Sequence, residues 1–140
     1  ANAIEMERKI GLLSADTYVK YARKCTEVVT TLKTTLDQFR GSSLPIVGYG
    51  AAAKGMTLLN YGKIELDYII DDNPLKQNKF TPGMNIPILG SQMLLEERPT
   101  VFVPLAWNFY DEIKAKIKAS RPNVRDQFVT YFPKVEVHIS

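Results

Sequence analysis

The chain has very little of what redox and metal chemistry need: one cysteine and one histidine among 140 residues. A lone thiol, Cys25, cannot close an internal disulfide, and Cys25 with His138 cannot by themselves assemble a Cys/His metal cluster, so zinc chemistry within this chain is excluded. A Cys–His catalytic dyad is also set aside. Cys25 lies in an apolar periodic stretch, and His138 stands near the carboxyl terminus, where a frayed end is expected. No apolar run approaches the roughly 18 residues of a membrane span, and no charged-then-apolar leader opens the chain. The expectation is a soluble, cytoplasmic protein with no membrane partner. The net charge of +3 is spread out: residues 1–40 carry seven basic and five acidic side chains, residues 41–99 five and six, residues 100–140 six and four. Without a basic patch, nucleic acid is not an expected partner. The first residue is Ala1, not Met, which reads as a processed product or a part of something longer.

With 45% apolar residues, 140 residues suffice for one domain with its own core. The expected division is a helical lead-in over 1–40 and an αβ unit over 41–140. Tyr18, Ala22, Cys25, Val28, Val29, Leu32, Leu36 and Phe39 recur at helical spacing, so a helix of about 25 residues is predicted from Ser14 as N-cap to Gly41 as C-terminal stop. A shorter helical piece, 4–13, precedes it. The period then changes. Leu44–Val47 reads as a strand that runs into Gly48-Tyr49-Gly50-Ala51-Ala52-Ala53-Lys54-Gly55, with a helix opening in the alanines and stopping at Gly62. Strands are predicted over 66–70, 100–105 and 127–132, with a brief extended piece at 86–89 and a short helix after Ser91. The segment 75–85 reads as an ordered surface loop. Asn108 is expected to cap a helix carrying Ile113 and Ile117 and ending near Ser120. Strands alternating with helices imply a Rossmann-like three-layer α/β fold, with a small, mainly parallel sheet of four to five strands behind the long helix.

Only one region is chemically specific. Gly48 is expected to allow a tight turn, Gly50 to let backbone amides approach a ligand, and Ala53 to take the third small position, where helix and strand pack closely. A helix N-terminus behind such a turn presents free N–H groups and partial positive charge, which suits a diphosphate. Asp71 and Asp72 stand at a strand end 23 and 24 residues after Gly48, where a carboxylate can accept from a sugar diol, although Asp-Asn-Pro is also a turn signal. Lys54 and Lys76 could add charge-assisted contacts. Trp107 could stack on a base or sugar with Asn108 beside it, and Trp107 serves equally well as a packing residue. No acid–base pair, nucleophile elbow or Ser/His/Asp arrangement emerges, so the chain is equipped to hold a ligand rather than transform it. A dinucleotide-binding domain of an oxidoreductase and a packing module that binds nothing remain the alternatives.

The stretches 47–61, 68–77 and 105–108 together resemble the C-terminal domain of the S-adenosylmethionine-dependent C-methyltransferases that act on nucleotide-linked deoxysugars. The resemblance spans nearly the whole chain. It implies a substrate-side role for this domain, with S-adenosylmethionine expected in a separate central domain, zinc in a separate N-terminal module, and the catalytic His and Tyr residues outside this chain. Carried over residue by residue, it puts Gly48, Tyr49, Gly50, Ala51, Ala52 and Lys54 near a diphosphate. Asp72, Asn73, Lys76, Trp107 and Asn108 would surround the sugar or nucleotide. The implied partners are a nucleotide-diphosphate sugar and the remaining domains of the parent enzyme. Met56 departs from the small or polar residue common at its position, which the helix interior should absorb.

Overall fold

The strands place alternate side chains in two separate cores, and that sorting fixes the layers of the molecule. The computed structural model describes residues 2–140. Strand β1 (Ile46–Tyr49) sends Ile46 into one core and Val47 and Tyr49 into the other. Strand β5 (Val101–Pro104) splits Val101 and Val103 from Phe102, and β6 (Gln127–Thr130) splits Val129 from Phe128. Period-two alternation with both faces apolar is the signature of a strand covered on both sides.

Three further strands lie on the other side of β1 and one beyond β6. They are β2 (Tyr68–Ile70), β3 (Lys79–Phe80), β4 (Pro87–Leu89) and β7 (Glu136–Ile139). The sheet order is β3-β4-β2-β1-β5-β6-β7. Its five central strands are parallel, while β3 against β4 and β7 against β6 are antiparallel edges. The sheet thus has seven strands instead of four to five. The predicted loop at 75–85 contains β3, and His138 is not frayed: it pairs with Phe128 in β7 and lies 3.2 Å from the Thr130 hydroxyl.

Helix α1 (Ala3–Lys9) buries no residue. Helix α2 (Ala15–Arg40) buries Leu32 and Leu36 in its second half, on the same face of the sheet as α3 (Ala53–Gly62). Helix α4 (Tyr110–Ser120) buries Ile113 and Ile117 on the opposite face. The crossover β1–α3–β2 moves one way along the sheet on one face, and β5–α4–β6 moves the other way on the other face, as a single handedness of crossover requires.

Several helix ends differ from expectation. Ser14 occupies the N-cap of α2 without a side-chain cap bond, and Gly41 follows with right-handed φ of −60°; the left-handed residue is Ser43, at φ 59°. Helix α3 runs through Gly62 and ends at Lys63, at φ 49°. A Cβ at Gly62 would meet Val29 Cγ1 of α2 at 2.6 Å, so a larger residue there would require Val29 to shift. Asn108 makes no cap bond: it lies in a 3-10 turn, Trp107–Phe109, with Phe109 at the cap position of α4. After Ser91 only a 3-10 turn forms, Ser91–Leu95. No described helix is long and apolar enough to cross a membrane.

Candidate functional site

The order of the parallel strands reverses direction at β1: the chain goes from β1 to β2 on one side and returns to β5 on the other. The loops that leave the paired carboxyl ends of β1 and β5 therefore diverge to opposite faces of the sheet, the place where open α/β sheets bind ligands. The loops leaving these ends are 50–52, 71–78 and 105–109, and they contain most of the predicted site residues.

Gly50 is the residue that makes the turn. Its φ is +85°, a backbone conformation that favours glycine, while an added Cβ would only reach ordinary contact with Ala106 Cβ at 3.4 Å. Gly48 makes no turn. It lies inside β1, where a Cβ would come within about 3 Å of Leu66, Ile69 and Leu105. The close helix–strand contact assigned to Ala53 belongs to Gly55, whose Cβ would meet Leu105 Cβ at 2.6 Å, whereas Ala53 is exposed. Leu105, fully buried, fills the space the two glycines leave. These small residues bring α3 down onto the sheet.

Beyond the turn, the Ala52 N–H bends back to the Gly50 carbonyl at 2.8 Å, and Ala52 becomes the N-cap position of α3 without a side-chain cap bond. The first intrahelical bond is donated by Met56 to the Ala52 carbonyl at 3.1 Å. The N–H groups of Ala53, Lys54 and Gly55 have no acceptor among the described residues. They form a cluster of donors at the positive end of the helix, beside the strand switch. Lys54 stands in this first turn with Nζ 5.4 Å from the Trp107 ring centre, and Trp107 in turn packs on Phe132 at 4.2 Å between centroids. Trp107 is half-buried, so it serves partly as packing; Asn108 is exposed. An apolar groove of about 570 Å³ opens beside Lys54, between α2, α3 and Phe132-Pro133.

The two adjacent aspartates point to different partners. Asp71 is 7% exposed. Its Oδ2 accepts the Ala51 N–H at 2.7 Å and lies 3.3 Å from Lys76 Nζ, and its Oδ1 accepts the Asn73 N–H at 2.9 Å. Asn73, exposed, accepts the Leu75 N–H at 3.0 Å, as a turn residue does. Asp72 is about half exposed and faces α4: its carboxylate accepts the Tyr49 hydroxyl at 3.1 and 3.2 Å and pairs with Lys116 Nζ at 2.6 Å. Burial raises the Tyr49 phenol above its ordinary value, and the hydrogen bond to Asp72 raises the Lys116 ammonium, so both hold their protons across the physiological range.

The structure therefore brings Gly50, Ala51, Ala52, Lys54, Asp71, Asp72, Lys76 and Trp107 to one edge of the sheet. Nothing in the sequence singles out Lys116, 44 residues from Asp72 and the middle one of three alternating lysines, 114, 116 and 118. Its only signal was its place next to Ile117, on the shoulder of the buried face of α4. Among the described residues no group of three His, Cys, Asp or Glu side chains is placed to hold a metal ion.

Residues 1–133 match the family described as the C-methyltransferase C-terminal domain. The chain is also 30% identical over 116 residues to the C-methyltransferase NovU of Streptomyces niveus, an alignment covering 81% of this chain and 28% of that protein.

Proposed function

The chain belongs to the family of C-methyltransferase C-terminal domains, and from that premise we propose that it holds a nucleotide-diphosphate sugar for a methyltransferase whose methyl transfer is carried out elsewhere. One observation carries this reading: the unpaired N–H groups of Ala53, Lys54 and Gly55 face the carboxyl edge of the sheet at the strand reversal, directly after the Gly50 turn. A diphosphate placed there accepts several backbone hydrogen bonds with the helix dipole behind them and the Lys54 ammonium beside it. Asp72 supplies the acceptor for a sugar hydroxyl. Its carboxylate is oriented by Tyr49 and Lys116 but keeps lone pairs toward solvent. Gly48 and Gly55 let α3 and Leu105 pack closely, and Trp107 offers an aromatic face at the β5 side.

In this reading S-adenosylmethionine and zinc belong to other domains of a longer enzyme. Zinc has no donor set among the described residues: Cys25 is a single half-buried thiol, and the only histidine, His138, sits in edge strand β7. What these residues do is bind and orient, and the acceptor carbon is presented to groups contributed from outside this domain. Such a domain works in a cytoplasmic enzyme.

Calorimetric titration of the chain with UDP- and dTDP-sugars, with NADH as the competing ligand class, tests the proposal. Saturable binding of the sugar nucleotides that is lost in Gly50→Val is expected, since a β-branched residue at φ +85° costs about 1–3 kcal/mol of backbone strain at the turn. No binding at millimolar ligand, or binding of NADH alone, overturns it.

A further inference from the structure

Asp71 and Lys76 are both candidates for direct ligand contact by position, yet the Asp71 carboxylate is buried and the Lys76 ammonium, on a side chain 42% exposed, is bonded back to the protein. The Asp71 carboxylate accepts the N–H of Ala51, and the Lys76 ammonium donates to the carbonyl of the same residue at 2.9 Å. One residue of the phosphate turn is thus held at both its peptide groups by two side chains that are paired with each other at 3.3 Å. The loop carrying Lys76 is itself built around Asp71: the Asn73 N–H reaches Oδ1 at 2.9 Å, and Gln77 Nε2 donates to the Asp71 carbonyl at 2.9 Å. The Asp71 N–H donates to the Leu89 carbonyl of β4 at 3.0 Å, so the assembly is anchored in the sheet.

Charge sharpens the point. A carboxylate with its side chain only 10% exposed, behind a turn that is to receive an anion, would repel that anion. Lys76 cancels this charge while fixing the Ala51 carbonyl. We propose that Asp71 and Lys76 are positioning residues, a clamp that holds the Gly50–Ala52 turn with its α3 donors aligned and hides the Asp71 charge from the bound phosphate. This rests on the nucleotide-binding reading above, and it assigns the ligand-facing role within the acidic pair to Asp72 alone.

The experiment is a double-mutant cycle of Lys76→Met and Asp71→Asn, read by UDP and inorganic pyrophosphate affinity well below the unfolding transition, and by amide hydrogen exchange at Ala51 without ligand. Lys76→Met leaves the carboxylate uncompensated and is expected to weaken both probes by about tenfold or more, a coupling of the size seen for paired groups in one network. Adding Asp71→Asn removes the stray charge, so the double variant is expected to bind more tightly than Lys76→Met alone. Exchange at Ala51 should speed up in both single variants. A double variant no tighter than Lys76→Met overturns the proposal, since the Asp71 charge is then not what Lys76 offsets, and so does unchanged Ala51 exchange in both single variants. If the unaltered protein binds neither probe, the nucleotide reading fails, and the exchange arm still reports on the clamp alone.

Discussion

Substituting Gly55 by alanine sets two physical effects of opposite sign against each other. Glycine inside a helix costs about 1 kcal/mol relative to alanine, so propensity alone predicts that Gly55→Ala stabilises α3 by about that amount. Packing predicts the reverse. The new Cβ would sit 2.6 Å from Leu105 Cβ, an atom fixed to the backbone of a fully buried residue, so α3 and the end of β5 must move apart. Overpacking of this kind costs about 1–3 kcal/mol, and a contact between two Cβ atoms cannot be relieved by a rotamer change, which puts it at the upper end. The expected outcome is a net loss of about 1–2 kcal/mol in urea unfolding followed by the fluorescence of Trp107, the single tryptophan. The geometry also fixes what fails to rescue it. Leu105→Ala costs about 2–5 kcal/mol by itself and leaves its own Cβ in place, so the double variant should be no better than the sum of the two. At Gly48 two of the three encroaching atoms, Leu66 Cδ1 and Leu105 Cδ1, are terminal methyls that can shift, and the third, Ile69 Cγ1, is at 3.0 Å, so Gly48→Ala should cost less than Gly55→Ala. A Gly55→Ala protein as stable as the parent, or more so, would mean that α3 and β5 absorb the new Cβ without cost.

Two further outcomes follow from buried polar groups. Burial pushes the Tyr131 phenol up from 10.0 to about 12, and its hydroxyl donates to the Leu105 carbonyl at 2.8 Å. The folded state keeps this proton longer than the unfolded chain. The stabilisation is therefore complete below pH 10.0 and falls by about 1.4 kcal/mol per pH unit up to about 12; alkaline unfolding of Tyr131→Phe should lose that slope and show a cost of about 1 kcal/mol at neutral pH. Arg121 and Asp126, each side chain 3% exposed, pair through Nε at 2.8 Å and Nη2 at 3.0 Å, with Thr100 N–H on the same carboxylate at 3.0 Å and the Arg98 carbonyl on the guanidinium. Arg121→Met strands a buried carboxylate and should cost about 3–5 kcal/mol in chemical denaturation, whereas changing both partners to apolar residues should cost much less.

What could be read from the sequence were the features with a long or strong period: α2, the two-sided strands β1, β5 and β6, and the glycine turn before α3. The edge strands escaped because they have no such pattern. Lys79 and Phe80 are both exposed, and in β7 only His138 of four residues is partly covered, so no apolar alternation marks either strand. The glycines at 48, 50 and 55 were visible as a set, but that 48 and 55 make room depends on Leu105, which lies 50 residues after Gly55. The acidic pair was legible as a strand end, and its division was not. Adjacent residues leaving a strand point to opposite sides, which sends Asp71 back under the turn and Asp72 out to Tyr49 and Lys116.

A diphosphate seated on the first turn of α3 would be located by amide mapping. Titration of the isotopically labelled chain with UDP, followed by nitrogen–proton correlation spectra, should move the Gly50 and Ala53–Gly55 amides first and saturably, with Lys116 and Trp107 signals following when a sugar nucleotide replaces UDP. Saturable shifts that leave residues 50–55 unmoved and cluster elsewhere on the surface would contradict that placement.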